Sequence, residues 1–343
     1  MRFALTDDQR FIQEAAREGL QRVCPPSRVR AAWSGGPDGD LWAALAGLGV
    51  FGVHLPESVG GMGLGALELV LVLEEVGRAA APGPVLEAAV AGWLLSRVGA
   101  RRGVSASAVI DGEMRATVGF GREGFALDAD RSDVILMERG GELHAIAPKE
   151  AALRRRESVD RSRRLFEVEL GARVAEVQDA AVPCAGAWAL GVIGASAELI
   201  GLGRRMLDMA VEYASARRQF GQPVGSFQAV QHALADALIG IDFARPLVWR
   251  AAWAVDRGDA SAEAAAEVGL WASSAKARAS EAAMGAARAA LQAHGAMGYT
   301  TEVDLHLWMK RAWALSSSWG GAGWHMDRVA DALLGSGEGA GPG

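Results

Sequence analysis

Apolar residues recur at helical spacing along the first hundred positions of the chain. Thr6 precedes the first of these stretches and Gln9 follows three residues later, which is the spacing of a capping box. Two prolines directly after Cys24 must end this helix. Further helical patterns cover residues 40–48, 66–81 and 85–98. The pattern therefore predicts an N-terminal helical domain over residues 1–102.

Between residues 103 and 182 the helical spacing gives way to short runs rich in β-branched and apolar residues. Each run is bounded by Gly, Asp or Pro, and together they predict strands at 114–120, 132–139, 143–148 and 166–170. We expect a small antiparallel β-domain here. The same region contains a cluster of arginines, Arg154, Arg155, Arg156, Arg161, Arg163 and Arg164. Such a cluster favours a solvated face, with contact to a phosphate as the alternative.

Helical spacing returns over residues 183–334, in long segments. Breaks near residues 222–223, 258–259 and 295–298 separate these segments. Long helices joined by short links predict an antiparallel four-helix bundle. The glycine-rich residues 335–343 predict a flexible tail. The chain is therefore predicted to be mainly α, with a small β-domain between two helical domains.

Composition narrows the functional classes. The 343 residues are 50% hydrophobic and carry a net charge of −6, so a large core is possible and no basic field attracts nucleic acid or anionic lipid. Two distant cysteines exclude a disulfide framework, and the six histidines show no metal-ligand spacing. Acidic residues near the start argue against a signal peptide, and apolar runs such as 69–73 are too short to span a membrane. We expect a cytoplasmic protein without a metal, a nucleic-acid partner or a membrane partner.

Four segments carry more specific information. They are LPESVGGMGLGALEL (55–69), EYASARRQFGQPVGSFQAVQHALAD (212–236), LQAHGAMGYTTE (291–302) and LWMKRAWALSSSWGGAGW (307–324). The second resembles the R-x-x-F-G-x-x-x-x-x-F-Q segment of the acyl-CoA dehydrogenase family, and the third is similar to its Q-x-x-G-G-x-G-[FY]-T segment. Together these two are a specific signal, whereas a glycine-rich piece alone is weak. The resemblance covers nearly the whole chain and implies the same order of domains as the hydrophobic pattern.

The resemblance also implies a cofactor. In the family, the second and third segments hold the ADP half of an FAD whose flavin lies in a neighbouring subunit. The matching positions in this chain are Arg217, Phe220, Phe227, Gln228, Gln292, Gly295 and Ala296. The residue types suit that task, because an arginine fork binds pyrophosphate, an aromatic ring offers a flat face, and glutamine amides pair with an adenine edge. Ala296 departs from the family's second glycine and leaves less room for a phosphate.

The residues expected for catalysis are missing. The family's reaction removes a proton next to a thioester carbonyl and needs a carboxylate base. One family position for that glutamate corresponds to Gly320, counted from Arg311, and the other to Gly191, which lies 26 residues before Arg217. No catalytic residue is therefore predicted. Residues 103–182 also lack the family's T-E-P-x-x-G-S-D and W-[IT]-[ST] segments, which cradle the flavin ring.

The resemblance thus implies a subunit of an FAD-dependent acyl-CoA dehydrogenase, similar to the shorter, non-catalytic subunits of actinobacterial α2β2 steroid-type enzymes. A longer homologous partner would supply the catalytic glutamate and the flavin cradle, FAD would be shared across the interface, and an electron-transfer flavoprotein would be the acceptor. Two alternatives stay open. One is a self-sufficient homo-oligomer with its base moved to Glu198 or Glu302, and the other is a flavin-free structural paralogue. Glu198 lies about 10 Å along the helix from Gly191, which favours an ordinary helix residue or an ion-pair partner.

Overall fold

The computed structural model describes residues 3–36, 39–121, 124–170, 176–177, 180–257 and 261–335. The helices are α1 (Asp7–Val23), α2 (Pro26–Trp33), α3 (Gly39–Gly47), α4 (Ala66–Ala79), α5 (Val85–Val98), α6 (Ala106–Ile110), α7 (Ala181–Ala216), α8 (Gln228–Arg257), α9 (Ala262–His294), α10 (Leu305–Ser317) and α11 (Ala322–Leu334). The strands are β1 (Ala116–Gly119), β2 (Phe125–Leu127), β3 (Val134–Arg139), β4 (Glu142–Ile146), β5 (Ala151–Arg156), β6 (Leu165–Leu170), β7 (Glu176–Val177), β8 (Arg218–Gln219) and β9 (Gln222–Pro223).

The N-terminal helical domain contains the elements that the pattern predicts and one that it does not. The predicted capping box is present, since the Thr6 hydroxyl accepts from the Gln9 backbone N–H at 3.2 Å and the Gln9 side chain accepts from the Thr6 N–H at 3.0 Å. The sequence does not predict α2, because two consecutive prolines indicate the end of a helix. Pro26 is the first residue of α2, where the missing backbone N–H costs no helical hydrogen bond.

The β-domain consists of two small sheets, with the strand orders β1-β3-β4-β7 and β2-β6-β5. The expectation of an antiparallel unit is wrong for β1 and β3, which run parallel with Ala116 opposite Val134. These two strands cannot form a hairpin, because β2 of the second sheet lies between them in the chain. Strand β5 is not predicted either, because its three arginines indicate only a solvated face.

The C-terminal domain is built on α7, α8 and α9, with α10 packed on α7 and α9 and α11 packed on α9. The four-helix arrangement is thus present in α7–α10, with α11 in addition. The predicted break at 222–223 is the β8–β9 hairpin, and the break at 295–298 is a 3-10 turn, Gly295–Tyr299. The break at 258–259 and most of the predicted tail, residues 336–343, lie outside the described residues.

Helix α7 lies at the centre of the molecule. This helix of 36 residues is long and apolar enough to cross a membrane, judged by length and composition only. Its most apolar stretch of 18 residues has a mean hydropathy of 1.5, and 83% of that stretch is buried inside the fold. The sequence expectation was based on uninterrupted apolar runs and overlooked this helix. It packs against α4, α5, α8, α9 and α10, which is the environment of a core helix.

One buried arginine joins all three domains. Arg311 of α10 binds the Asp160 carboxylate, donates to the Ser162 hydroxyl at 2.8 Å and donates to the Ala81 carbonyl at 2.9 Å. Burial alone would raise the pKa of Asp160, but the Arg311 guanidinium and the Ser162 hydroxyl outweigh it and hold that pKa below its usual range. A single guanidinium therefore joins the bundle to the β-domain and to the link between α4 and α5.

Candidate functional site

The ends of three long helices meet at one end of the bundle. Near the end of α7, the Tyr213 ring stacks on the His294 ring at the end of α9, with ring centroids 4.4 Å apart and planes 22° apart. The β8–β9 hairpin follows α7 directly, and Gln228 begins α8. Residues 217–228 and 292–296, which are far apart in sequence, therefore lie at the same end. We call this region the clamp end.

The tip of the hairpin places an aromatic ring in solvent. Phe220 and Gly221 have φ angles of 53° and 82°, the sign that a type I′ turn requires at both central positions. Glycine adopts this conformation freely, whereas a phenylalanine in it is strained by about 1–2 kcal/mol. The Phe220 side chain is 91% exposed, so little burial within the chain offsets that strain. A strained, exposed ring is typical of a residue that contacts another molecule.

All seven predicted cofactor residues lie at the clamp end. Phe227 is half-buried, with its ring 6.1 Å from that of Phe220, and the exposed members are Arg217, Phe220, Gln228, Gln292, Gly295 and Ala296. Within the described residues, the Arg217 guanidinium has no hydrogen-bond or ion-pair partner. Gly295 has a φ of 58°, and an added Cβ there would meet no atom within 4 Å. The surface is open to a ligand with a flat base and a charged phosphate group.

A cavity of about 710 Å³ lies where the three domains meet. Its walls carry six aromatic side chains, Phe120, Phe125, Trp188, Trp313, Trp319 and Trp324. The Trp319 ring is central, with its centroid 5.4 Å from that of Phe120 and 5.5 Å from that of Trp188. We call this space the aromatic cavity. Four of the eleven tryptophans of the chain therefore line this one cavity.

Trp319 covers the helical position at which the resemblance expects a glutamate. A Cβ added to Gly191 would lie 2.2 Å from a ring carbon of Trp319, which is far inside van der Waals contact. At the loop position, Gly320 has a φ of 91°, and an added Cβ would lie 2.7 Å from His325 Nε2. Neither position has room for a side chain in this conformation. The sequence identified both glycines, and the structure supplies the neighbour that requires them.

Two buried side chains hold the loop that carries Trp319. Lys276 Nζ donates to the Ser316 carbonyl at 3.0 Å and to the Gly320 carbonyl at 2.9 Å. His325 Nε2 lies 2.8 Å from the Trp319 carbonyl and its Nδ1 lies 3.1 Å from Ser273 Oγ. Burial lowers the pKa of Lys276 to about 7 and that of His325 to about 4. The histidine is therefore neutral at pH 7, and a proton on Nε2 fits the carbonyl that it faces.

Glu87 is the buried carboxylate that sequence reasoning missed. It lines the aromatic cavity, its side chain is 8% exposed, and it lies 3.7 Å from Arg163. Burial raises the pKa of Glu87, while the nearby Arg163 guanidinium and Trp319 indole act in the opposite direction. A lone acid within the apolar pattern of α5 was the signal in the sequence. Its position against Arg163 required the fold.

The two candidates for a relocated base do not line the aromatic cavity. Glu198 is buried between α7 and α4, where burial and the nearby Glu87 raise its pKa to about 7. Glu302 is exposed in the turn that follows α9. A base must reach the proton that it removes, so neither carboxylate is placed for catalysis in this cavity.

The cysteines and histidines add no reactive site in the part of the chain that the structure describes. Cys24 and Cys184 are free and buried, and burial raises the pKa of each thiol to about 11. Such thiols are poor nucleophiles at neutral pH. No cluster of three or more His, Cys, Asp or Glu side chains suited to a metal ion occurs among the described residues.

Known proteins are similar to this chain in both sequence and fold. Residues 6–102 match the model of the acyl-CoA dehydrogenase N-terminal domain, and residues 189–334 match that of the C-terminal domain. The acyl-CoA dehydrogenase FadE34 of Mycobacterium tuberculosis is 33% identical over 95% of this chain, which spans 48% of that relative. The acyl-CoA dehydrogenase IpdE2 of Mycolicibacterium smegmatis is 31% identical, over 90% of this chain and 93% of its own length. Among solved structures, the ChsE4–ChsE5 complex from Mycobacterium tuberculosis superposes with a TM-score of 0.82 at 25% identity, covering 98% of this chain and 100% of the matched chain.

Proposed function

The chain belongs to the acyl-CoA dehydrogenase family, and from that premise we propose that it is the base-less, FAD-clamping subunit of a heteromeric acyl-CoA dehydrogenase. A homologous partner subunit supplies the flavin cradle and the catalytic glutamate. The observation that carries the proposal is the packing of Trp319 on Gly191. At both family positions for the base, this chain lacks a carboxylate and also lacks the space for one.

The clamp end fits the ADP half of FAD. Bound FAD supplies the electron acceptor for dehydrogenation of the acyl chain. Arg217 offers an unpaired planar cation to the pyrophosphate, and Phe220 offers an exposed ring to the adenine or ribose. The amides of Gln228 and Gln292 are free to pair with polar edges, and the open backbone at Gly295 admits a phosphate. These residues bind and orient the cofactor and take no part in proton transfer.

The aromatic cavity supports the division of labour between two subunits. Its space above Gly191 is filled by indole and phenyl rings. Two carboxylates line the cavity: Glu87 lies against Arg163, and the exposed Glu157 follows directly after β5. Neither belongs to α7 or to the loop after α10, where the family's base would stand. A flavin-free paralogue would not need the strained, exposed Phe220 at the clamp end.

The remaining parts of the proposal rest on the resemblance. The substrate is an acyl-CoA thioester, of which the CoA ester of a steroid side chain is favoured. The assembly is an α2β2 hetero-oligomer, in line with the similarity to a chain of the ChsE4–ChsE5 complex. An electron-transfer flavoprotein is the protein that reoxidises the reduced flavin, and the enzyme acts in the cytoplasm.

Co-expression with a homologous partner tests the division of labour. We expect the chain produced alone to be colourless or poorly soluble, because it lacks a flavin cradle. Co-expression with a longer homologue that carries the glutamate should give a yellow complex with acyl-CoA dehydrogenase activity. The measurement is the flavin absorption spectrum and the ratio of FAD to protein. A stoichiometric flavin spectrum from the chain alone would contradict the proposal.

The role of Arg217 is tested separately in that complex. Arg217→Ala removes a charge-assisted contact to pyrophosphate, and we expect FAD affinity to fall by about 1.5–3 kcal/mol, or roughly tenfold or more. Arg22→Ala, which removes an exposed arginine from the last turn of α1, is the matched control. FAD retention during gel filtration and titration of the apo-complex measure the difference. Equal retention by the two variants would remove Arg217 from the clamp.

A further inference from the structure

A second cavity, of about 550 Å³, lies where the turn after α2, the link between α4 and α5, and the β5–β6 segment meet. Two acids, Asp128 and Glu157, face six arginines in its lining. The arginines are Arg131, Arg155, Arg156, Arg161, Arg163 and Arg164. We call this space the basic cavity. It contains all of the arginine cluster seen in the sequence except Arg154, and it shares no residue with the clamp end.

Several of these arginines are neutralised by neighbouring acids. Strand alternation places Arg154 and Arg156 on one face of β5, where they pair with Glu169 and Glu167. Arg155 projects from the opposite face of β5, and it lines the basic cavity together with Arg156. Arg164 binds Asp130, Arg163 lies near Glu87, and Arg131 also has a partner.

Arg155 and Arg161 remain available to a ligand. Both side chains are exposed, and neither has a hydrogen-bond or ion-pair partner within the ranges that the structure describes. Two unpaired guanidinium groups in one concave site attract an anion more strongly than two isolated surface charges do.

The backbone around Arg161 is held in place by its two buried neighbours in the chain. Asp160 and Ser162 on either side of it are buried, and both bind Arg311. The Asp160 carboxylate also accepts from the Ser162 N–H at 3.0 Å and from the Ser162 hydroxyl at 2.7 Å. With both neighbours directed inward, Arg161 is directed outward into the cavity. A cation presented by an ordered backbone loses less conformational entropy on binding than one on a free loop.

The opposite wall leaves room for a ligand. Gly35 and Gly83 line it with φ angles of 80° and 96°, and an added Cβ at either position would meet no atom within 4 Å. Trp33 adds an aromatic face, with Lys310 Nζ at 4.9 Å from its ring centre. This wall therefore contributes open space and a flat surface.

From this geometry we infer that the basic cavity is a binding site for a phosphate-bearing anion with at least two negative charges, held by Arg155 and Arg161. Guanidinium forks match phosphate oxygens in pairs, and two forks need two charged groups or one dianion. The volume of the cavity exceeds that of a single phosphate group, so a pyrophosphate or a nucleotide diphosphate fits the site. The inference rests on the residues of this cavity and is independent of the proposed function.

Calorimetric titration of the full chain, in the assembly in which it is purified, tests this inference with sodium pyrophosphate as the probe. We expect saturable binding that weakens as the salt concentration rises. Arg155→Ala and Arg161→Ala should each raise the dissociation constant about tenfold. Arg154→Ala is the matched control, because it removes the same charge from the same strand but from a residue outside the cavity, and we expect a change of less than about twofold.

A second titration with ADP separates the possible sources of the phosphate. Tighter binding of ADP than of pyrophosphate assigns the site to a nucleotide, whereas equal binding assigns it to a free polyphosphate. The inference is overturned if wild-type protein shows no saturable binding of pyrophosphate, or if Arg154→Ala weakens binding as much as the two cavity variants. It is also overturned if only Arg217→Ala abolishes binding, since that result would move the anion to the clamp end.

Discussion

Single residues determine what the aromatic cavity can hold. The Trp319 indole fills the space above Gly191 and packs against two other aromatic rings. The glycines at 191 and 320 are thus more than missing glutamates, because each is required by a specific neighbour. A residue that lacks a side chain here is as much a part of the packing as the ring beside it.

Substitution of Gly191 tests this packing. Gly191→Ala forces a methyl group against Trp319, and we expect a loss of about 1–3 kcal/mol in the free energy of unfolding. Gly285→Ala in α9 is the matched control, because an added Cβ there meets no atom within 4 Å. That change should stabilise the protein by about 0.5–1 kcal/mol, since alanine favours the helix. Urea denaturation of both variants gives the comparison.

A further background makes the Gly191 test specific. In a Trp319→Leu protein, the cost of Gly191→Ala should shrink, because the ring that it would meet is gone. An unchanged cost in that background would mean that Trp319 does not lie over Gly191.

At the scale of elements, the loop between α10 and α11 is held by groups buried on α9 and α11. Lys276 of α9 binds the carbonyl groups of Ser316 and Gly320. His325 of α11 binds the Trp319 carbonyl and is itself held by the Ser273 hydroxyl of α9. In the family this loop is the place of a catalytic glutamate, and here it is a packed corner. Its stability depends on a histidine that stays neutral.

The neutral histidine gives the loop a defined pH dependence. The pKa of His325 is lowered from 6.5 to about 4, so between these values the unfolded chain binds a proton that the folded chain does not. Stability contributed by the neutral ring is complete above pH 6.5 and is lost as the pH falls towards 4. Glu198, whose pKa is raised to about 7, has the opposite effect in this range, so the contribution of His325 is read as a difference between two proteins. We expect the stability of the wild type to fall by roughly 3 kcal/mol relative to that of His325→Gln as the pH decreases from 6.5 to 4.

Urea denaturation at a series of pH values measures that difference. His232→Gln is the control, because His232 is exposed on α8. Parallel stability curves for the wild type and His325→Gln would refute the assignment, whatever their vertical offset.

Elements with a local signal could be predicted from the sequence, and elements set by distant contacts could not. The Thr6–Gln9 capping box and the limits of α5 depend on neighbours within one turn of helix, and both were predicted correctly. Pro26 marks both helix stops and helix starts, so α2 was missed. The parallel pairing of β1 with β3 depends on the order in which sheets assemble, which no local pattern contains.

The candidate sites follow the same rule. The residues predicted to bind the cofactor stand in two contiguous motifs, and the fold brings both motifs to one end through Tyr213 and His294. Their role stays a prediction. Glu87 and Trp319 belong to no shared motif, and their contact joins residues more than 200 positions apart. The basic cavity was visible in the sequence only as an arginine cluster. Its unpaired members could not be separated from the paired ones without the partners.

At the scale of the whole molecule, Arg311 ties the three domains together. Its partners belong to the β-domain and to the link between α4 and α5, and its own backbone belongs to the bundle. A buried charge of this kind is stabilising only while its partners are complete. The relative placement of the domains, and with it the shape of both cavities, depends on this contact.

Replacement of Arg311 measures its contribution. Arg311→Met leaves Asp160 buried without its cation, and we expect a loss of about 3–5 kcal/mol in the free energy of unfolding. Arg30→Ala is the control, because Arg30 also joins the N-terminal domain to α10 through Asp304, but its side chain is 58% exposed. That exposed pair should be worth about 0–1 kcal/mol.

A double variant distinguishes loss of the pair from loss of one charge. Arg311→Met combined with Asp160→Asn should recover part of the stability, since no unpaired carboxylate remains. Thermal and urea denaturation provide the values. If Arg311→Met proves no more costly than Arg30→Ala, the domains are held together by other contacts.

The packing of Trp319 on Gly191 also limits how the chain can evolve. A glutamate codon is one base change from some glycine codons, so a base at 191 or 320 is within easy mutational reach. At 191 the new side chain would collide with the indole, and at 320 it would require a backbone conformation that only glycine adopts readily. If the indole were removed first, a void would open beside Gly191 with no immediate benefit. Each single step therefore costs stability before a second step can restore it, which makes a base at either position difficult to regain.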